Sequence, residues 1–310
     1  MNHVKITGYG TALPKNTVTF DDQTRYRVVS GETQISLAVE ACEAALKQGS
    51  WSIADIDCIV SASAVSVQPI PCTAALIHEQ IARGTDIPAV DINTTCTSFV
   101  TALDTFSFLI EARRYTRVLI VSSEVGSLGL NPNQKESFEL FSDGAAAIIL
   151  ERSENPEQGI ICGMQRTWSE GAHQTEIRGG LTAYPPSNYK EETKEEYMFD
   201  MKGREILSLV IKKLPKMMAD FYTESGLSAE MINKVVPHQA SRAMPLLMKK
   251  IGFSEEQYVN SIKEYGNMVS ASIPFILCKA LAANEIKEKD VILFIGTAAG
   301  LTTNILAMRI

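Results

Sequence analysis

Cys96, His238 and Asn267 are the three residues whose types and settings could carry chemistry together. Cys96 stands in Asp91-Ile92-Asn93-Thr94-Thr95-Cys96-Thr97-Ser98-Phe99, where an apolar strand-like run, Ile87 to Ile92, gives way to apolar residues at helical spacing from Thr97 to Arg113. Thr94 and Thr95 are the expected caps. A thiol at that junction faces free backbone N–H groups and the positive end of a helix dipole, which favour thiolate over thiol. His238 follows Pro237 and precedes Gln239-Ala240-Ser241, which predicts a ring at the carboxyl edge of a sheet and the start of a helix. Asn267 follows Gly266 and precedes the small residues Ser270-Ala271-Ser272, so a turn leading into a tightly placed helix is expected.

The other cysteines, at 42, 58, 72, 162 and 278, lie in apolar elements or beside proline and read as small buried hydrophobes. None of the six forms a CxxC pair, so neither a disulfide framework nor a zinc site is expected and no metal or cofactor is called for. A chain of 310 residues can bury a large core, and 45% hydrophobic with 21% charged residues is ordinary for a soluble enzyme. The formal charge of -7 argues against a nucleic-acid binder. Met1 to Ile6 runs straight into an alternating strand pattern, and no apolar run would span a bilayer, so a reduced, cytoplasmic setting is expected.

The elements that must hold the three residues alternate. Strands are expected at Val4 to Thr11, Cys58 to Ala64, Thr116 to Ser123 and Asp143 to Glu151, with helices at Thr33 to Gln48, Thr73 to Ala82 and Thr97 to Arg113. A strand from Gln158 to Arg166 then precedes a polar insertion, Ser169 to Glu196. Beyond it come a helix from Gly203 to Glu224, a strand from Lys234 to Pro237, helices from Arg242 to Lys250 and Ser270 to Asn284, and strands Asp290 to Ile295 and Thr302 to Arg309. This order predicts an α/β fold with mostly parallel sheets. Arg117 to Ser122 and Asp290 to Ile295 lead alike, through glycine-containing loops, to small-residue strands, which suggests a duplication with halves 1–155 and 156–310.

Cys96 with its strand and helix, Pro237-His238-Gln239-Ala240, Gly266-Asn267 with Ser270-Ala271-Ser272-Ile273-Pro274, and Phe141-Ser142-Asp143-Gly144-Ala145-Ala146-Ala147 together resemble β-ketoacyl-acyl-carrier-protein synthase III. The resemblance runs from about Val4 to Ile310. It implies a thiolase fold of two similar βαβαβαββ halves in a layered α-β-α-β-α body, a homodimer, and a Cys96-His238-Asn267 catalytic set. The implied reaction loads an acyl group from acyl-coenzyme A or an acyl carrier protein onto Cys96. A decarboxylative Claisen condensation with malonyl carrier protein, or malonyl-coenzyme A, follows. A thiolate takes the acyl group, and imidazole and amide N–H donors hold the enolate oxygen. The Cys96 N–H, with one from Gly296-Thr297-Ala298-Ala299-Gly300, would form the oxyanion hole, Ala299 standing where the family has a glycine. The alternative is acyl transfer to a small-molecule oxygen or nitrogen without decarboxylation. A cysteine protease uses the same residue trio, but its local signature around the cysteine is missing.

The family's Trp-Ile-x-x-Arg-Thr-Gly-Ile clamp for the adenine of coenzyme A has no counterpart, since Leu13 to Phe20 passes almost directly to the Thr33 helix. Lys135 falls near the family's phosphate-binding arginine. Ile70, in Gln68-Pro69-Ile70-Pro71, matches the segment that closes the partner subunit's acyl pocket. Met201 and Leu207 are either pocket walls or core residues. Arg242, Lys249 and Lys250 are either a carrier-docking patch or a solvated helix face.

Overall fold

The computed structural model describes residues 1–310. Strand β1 (Val4–Ala12) leads into a hairpin, β2 (Thr17–Phe20) and β3 (Gln23–Tyr26), and then into α1 (Gln34–Gly49). The first half continues with β4 (Cys58–Ser61), α2 (Thr73–Ile81), β5 (Ala89–Asp91), α3 (Ser98–Glu111), β6 (Arg117–Glu124), α4 (Lys135–Leu140) and β7 (Gly144–Arg152). These strands form a five-stranded sheet in the order β1-β7-β6-β4-β5. Without the hairpin and the short α4, the order is the expected βαβαβαββ.

The second half opens with β8 (Gly159–Thr167) and a two-residue pair, β9 (Thr175–Glu176) with β10 (Asp200–Met201). Then come α5 (Gly203–Ser225), β11 (Lys234–Pro237), α6 (Met244–Lys250), α7 (Ile262–Tyr265), α8 (Ser272–Ala282), β12 (Val291–Ala298) and β13 (Thr302–Arg309). Its sheet has four strands, β11-β12-β13-β8. The third strand of the motif shrinks to a single parallel bridge between Val235 and Tyr258, because the extended stretch around Tyr258 is short and lies between the turn at Ser254 and α7.

Five layers result. Helix α3 lies against β6 and β7 on one side and β13 and β8 on the other, and α8 lies against β1, β7 and β11. Helix α1 covers the outer face of the first sheet, and α5 rests on β8. With helices on both faces, β7 is buried from Gly144 to Leu150, and Ala145, Ala146 and Ala147 are small enough to let α1, α3 and α8 close on it. Helix α1 starts with a capping box in which Thr33 and Ser36 bond each other's backbone.

The structure departs from the sequence pattern in several places. The sheets are mixed rather than mostly parallel, since only β4–β5, β4–β6 and β11–β12 pair in parallel while β1–β7, β6–β7, β12–β13 and β13–β8 are antiparallel. Neither Thr94 nor Thr95 caps α3: Thr95–Thr97 form a 3-10 turn ahead of it, and Thr97 occupies the cap position without a side-chain bond. Residues 17–26, read as a bare passage, form the β2–β3 hairpin because alternation in Thr17-Val18-Thr19-Phe20 can pair with Gln23 to Tyr26 across a tight turn at Asp21. Helix α6 starts at Met244, so Arg242 precedes it. No helix is long and apolar enough to cross a membrane.

Candidate active site

Two turns of the same construction, one from each half, meet at one cavity. In the first, Thr95 N–H donates to Asn93 Oδ1 at 2.8 Å, Thr94 N–H donates to Ser98 Oγ at 3.0 Å, and Thr95 takes φ 51°. In the second, Val269 N–H donates to Asn267 Oδ1 at 2.8 Å, Met268 N–H donates to Ser272 Oγ at 2.9 Å, and Val269 takes φ 50°. Each passes through a 3-10 turn into a buried helix. Positive φ at β-branched residues is strained, and such strain concentrates where side-chain direction matters. It places Cys96 after Thr95 in the first turn. In the second, the bond from Val269 occupies Asn267 Oδ1 and leaves the amide Nδ2–H₂ as the free donor.

Gly266 is what lets Asn267 come so close. It sits at φ +67°, and a Cβ there would lie 2.5 Å from the Leu140 carbonyl oxygen and 2.6 Å from Arg25 Cδ. Asn267 is then tied by its backbone to the first half, its N–H donating to Leu140 O at 2.9 Å and its carbonyl accepting from Ser142 N–H at 2.9 Å. His238 follows β11 in a loop rather than a helix start. Its N–H donates to Ile295 O at 2.8 Å, and Gln239 Nε2 donates to the carbonyls of Pro237 and Val259, both at 3.1 Å.

Cys96, His238 and Asn267 all line a cavity of about 690 Å³. His238 and Asn267 are buried, and Cys96 is half-buried. Burial pushes the His238 imidazole down to about 4, so the ring is neutral at physiological pH. Its Nδ1 is buried without a partner. The Cys96 thiol is pushed up to about 12, first by burial and then by the charge of Glu124, with backbone N–H groups of Ala299 and Cys96 opposing both. This corrects the sequence expectation of a depressed thiol: burial of the sulfur and the Glu124 charge together exceed the two backbone N–H contacts. The two N–H groups that face the sulfur are nonetheless those of Cys96 and Ala299.

The remaining predicted residues divide. Met201 and Leu207 line the cavity, together with Phe141, Phe199, Ile206 and Val210. Lys135 and Arg242 stand at its mouth, where Lys135 Nζ lies 3.6 Å from Glu139. Lys249 and Lys250 are exposed at the end of α6 and do not line the cavity. Ile70 is 85% exposed in the loop before α2 and does not reach its own chain's cavity. No cluster of three or more His, Cys, Asp or Glu could hold a metal ion.

Two residues that support the site from outside the cavity lining were missed by sequence reasoning. Arg25, fully buried in β3, donates to the carbonyls of Glu139 at 2.7 Å, Thr24 at 2.6 Å and Lys263 at 3.2 Å, and also to Gln23 Oε1, so it anchors the hairpin beside Gly266 at the cavity mouth. Glu124, fully buried at the end of β6, has its carboxyl pushed up to about 7 by burial. A lone charged residue closing an otherwise apolar strand, Val118 to Ser123, was the available signal for Glu124.

The profile described as 3-oxoacyl-[acyl-carrier-protein] synthase III matches residues 90–166, and that for its C terminal matches 222–310. The β-ketoacyl-[acyl-carrier-protein] synthase III of Clostridium perfringens is 31% identical over 321 aligned positions, covering 97% of this chain and 98% of the relative. The chain belongs to the 3-oxoacyl-acyl-carrier-protein synthase III family. As a member of the synthase III family it is an acyltransferase of the condensing type with a thiolase fold. The crystal structure of the synthase III of Aquifex aeolicus superimposes with a TM-score of 0.88 at 25% identity, over 99% of this chain and 100% of that one. Xanthomonas campestris OleA shares the fold at a TM-score of 0.85 and 19% identity, over 100% of this chain and 98% of that one.

Proposed function

We propose that Cys96 accepts an acyl group from a thioester and that the acyl-enzyme then condenses with a malonyl thioester, carried on acyl carrier protein, to give a β-ketoacyl product. The observation that carries this is the convergence on one cavity of Cys96, two backbone N–H groups aimed at its sulfur, a neutral His238 and an Asn267 whose amide N–H₂ is free. In loading, the Cys96 sulfur attacks the thioester carbon and the C–S bond to the carrier breaks. The thiol proton passes to the departing sulfur, so the high resting affinity of Cys96 for its proton is overcome only with substrate bound. Charge on the tetrahedral oxygen is held by the N–H groups of Cys96 and Ala299.

In condensation, the malonyl carboxylate leaves as carbon dioxide and its electron pair moves to the α-carbon. The enolate oxygen takes hydrogen bonds from the His238 ring N–H and from Asn267 Nδ2. A neutral imidazole suits this role, since it donates without first giving up a charge. The carbanion attacks the acyl carbon, and Cys96 leaves as thiolate and recovers a proton. Half 1–155 supplies the nucleophile and half 156–310 the two donors.

Acyl-coenzyme A or an acyl carrier protein supplies the acyl group. Arg242 and Lys135 meet the carrier's phosphate at the mouth, and Lys249 and Lys250 extend that basic surface toward an acidic carrier protein. Met201 and Leu207 wall the acyl chain, and Ile70 of one protomer closes the pocket of the other in a homodimer. Incubation with acyl-coenzyme A and acyl-carrier-protein donors is expected to add one acyl mass to Cys96, lost in Cys96→Ala. Carbon dioxide release from malonyl carrier protein is expected to fall by two to three orders of magnitude, roughly, in His238→Ala or Asn267→Ala. An acyl adduct on another cysteine would overturn the loading step, and undiminished release would point to acyl transfer without decarboxylation.

A further inference from the structure

Glu124 closes β6, held between the loop after β4 and the turn that carries Asn267. Its Oε1 accepts from Ala64 N–H at 2.5 Å and from the Ser270 hydroxyl, and the backbone N–H groups of Val65 and Ser270 also face the carboxylate. Its Oε2 is buried with no hydrogen-bond partner. Ser270 belongs to the turn that carries Asn267, whereas Glu124 ends a strand of the nucleophile's half, so this bond crosses between the halves. Within the two matching turns, Ser270 holds the place that Cys96 holds in the other. The turn that carries Cys96 packs against the turn that carries Ser270, which itself packs against β6, and the carboxylate that grips Ser270 is also the group whose charge raises the Cys96 thiol.

We propose that Glu124 is a positioning residue of the reaction centre: its carboxylate ties the Asn267 turn to the nucleophile's half and sets the charge that Cys96 meets when it ionises. This rests on the condensing reaction proposed above. The bond to Ser270 fixes the turn from below, while the bond from Val269 fixes the Asn267 amide from within. Neither Ser270 nor Glu124 touches the cavity, so both act through their neighbours. The titratable group bearing on Cys96 is Glu124, from β6; His238, from the loop after β11, lines the same cavity and is neutral. Ionised Glu124 opposes thiolate by like-charge repulsion across poorly screened protein. The resting thiol is thereby kept protonated and unreactive toward chance electrophiles, and it reacts once an acyl thioester is seated against the N–H groups of Cys96 and Ala299.

The test compares wild type, Glu124→Gln and Ser270→Ala, each in a Cys72→Ser background because Cys72, expected from the sequence to be buried, is exposed. The rate of Cys96 alkylation by iodoacetamide is followed against pH by intact mass and peptide mapping. Carbon dioxide release from malonyl carrier protein is followed separately. Glu124→Gln keeps an acceptor for Ser270 but removes the charge, so its alkylation between about pH 8 and 9 is expected to run about tenfold faster or more, as the thiolate fraction rises. Ser270→Ala keeps the charge but frees the turn. Its decarboxylation is expected to fall by about tenfold or more, while acyl loading on Cys96 stays within about threefold of wild type. An unchanged alkylation rate in Glu124→Gln, or unchanged decarboxylation in Ser270→Ala, overturns the assignment. Because alkylation needs no carrier substrate, it reads Glu124 even if wild type proves inactive in decarboxylation, which would instead overturn the condensing reading.

Discussion

Cys96 and Ser270 occupy equivalent positions in two turns built alike, each one residue after a β-branched residue with φ near 50° and two residues before a helix-opening serine. The chain therefore carries two copies of one turn, of which one presents a thiol to the cavity and the other anchors to Glu124. The strain in each is the means by which a side chain is aimed. Thr95→Gly relieves it, since glycine adopts positive φ freely and the bond from the residue-95 N–H to Asn93 needs no side chain. The variant is expected to gain about 1 kcal/mol against urea unfolding, because the relief exceeds the added entropy of the unfolded glycine. It is also expected to load acyl groups about tenfold more slowly, as the turn that aims the sulfur loosens. A loss of stability, with loading unchanged, would show that the turn is not strained.

Gly266→Ala tests the second turn at its closest approach. The added methyl group would meet the backbone oxygen of Leu140 at 2.5 Å, which cannot yield without breaking the bond from Asn267 N–H to that same oxygen. A loss of about 3 kcal/mol or more is expected in urea unfolding, combining positive-φ strain with the clash. In whatever folded protein remains, decarboxylation should suffer more than acyl loading, because Asn267 is displaced and Cys96 is not. Equal loss of both steps would contradict that separation.

The alternating elements were legible because helices covering both faces of each sheet demand apolar strands and amphipathic helices, and those patterns are local. The trio was legible for a similar reason: cysteine, histidine and asparagine each stood beside a junction signal, the strand-to-helix switch at Cys96, Pro237, and Gly266. The thiol's electrostatics were not, because burial depends on walls contributed by Phe141, Ala299 and Leu207, far apart in sequence, while the helix terminus that suggested a depressed thiol is read from neighbours alone. Arg25 escaped notice because its four acceptors come from three separate segments. The missing third strand of the second half shows the opposite failing, in which an expected symmetry exceeds what the residues around Tyr258 can form.

Two buried groups make opposite contributions to the dependence of stability on pH, and their separation is a measurable signature of the site. His238 titrates near 4 in the folded chain against an ordinary value of 6.5, so between those values the unfolded chain binds more protons and stability falls as pH falls. Glu124 titrates near 7 in the folded chain against 4.5, so between those values the folded chain binds more protons and stability falls as pH rises. Between about pH 4.5 and 6.5 the two slopes offset each other, each worth up to about 1.4 kcal/mol per pH unit. Above pH 7 the penalty from Glu124 is complete, on the order of 3 kcal/mol. Glu124→Gln removes that penalty and keeps the neutral shape, so relative to wild type its stability is expected to rise progressively from pH 4.5 to 7 and to level off beyond. Urea unfolding at intervals from pH 4 to 8 measures the difference, in which the remaining carboxylates cancel. A difference independent of pH would mean that Glu124 titrates in the folded chain where it does in the unfolded one, so that above about pH 5.5 Cys96 faces a fixed negative charge rather than one shared with a proton.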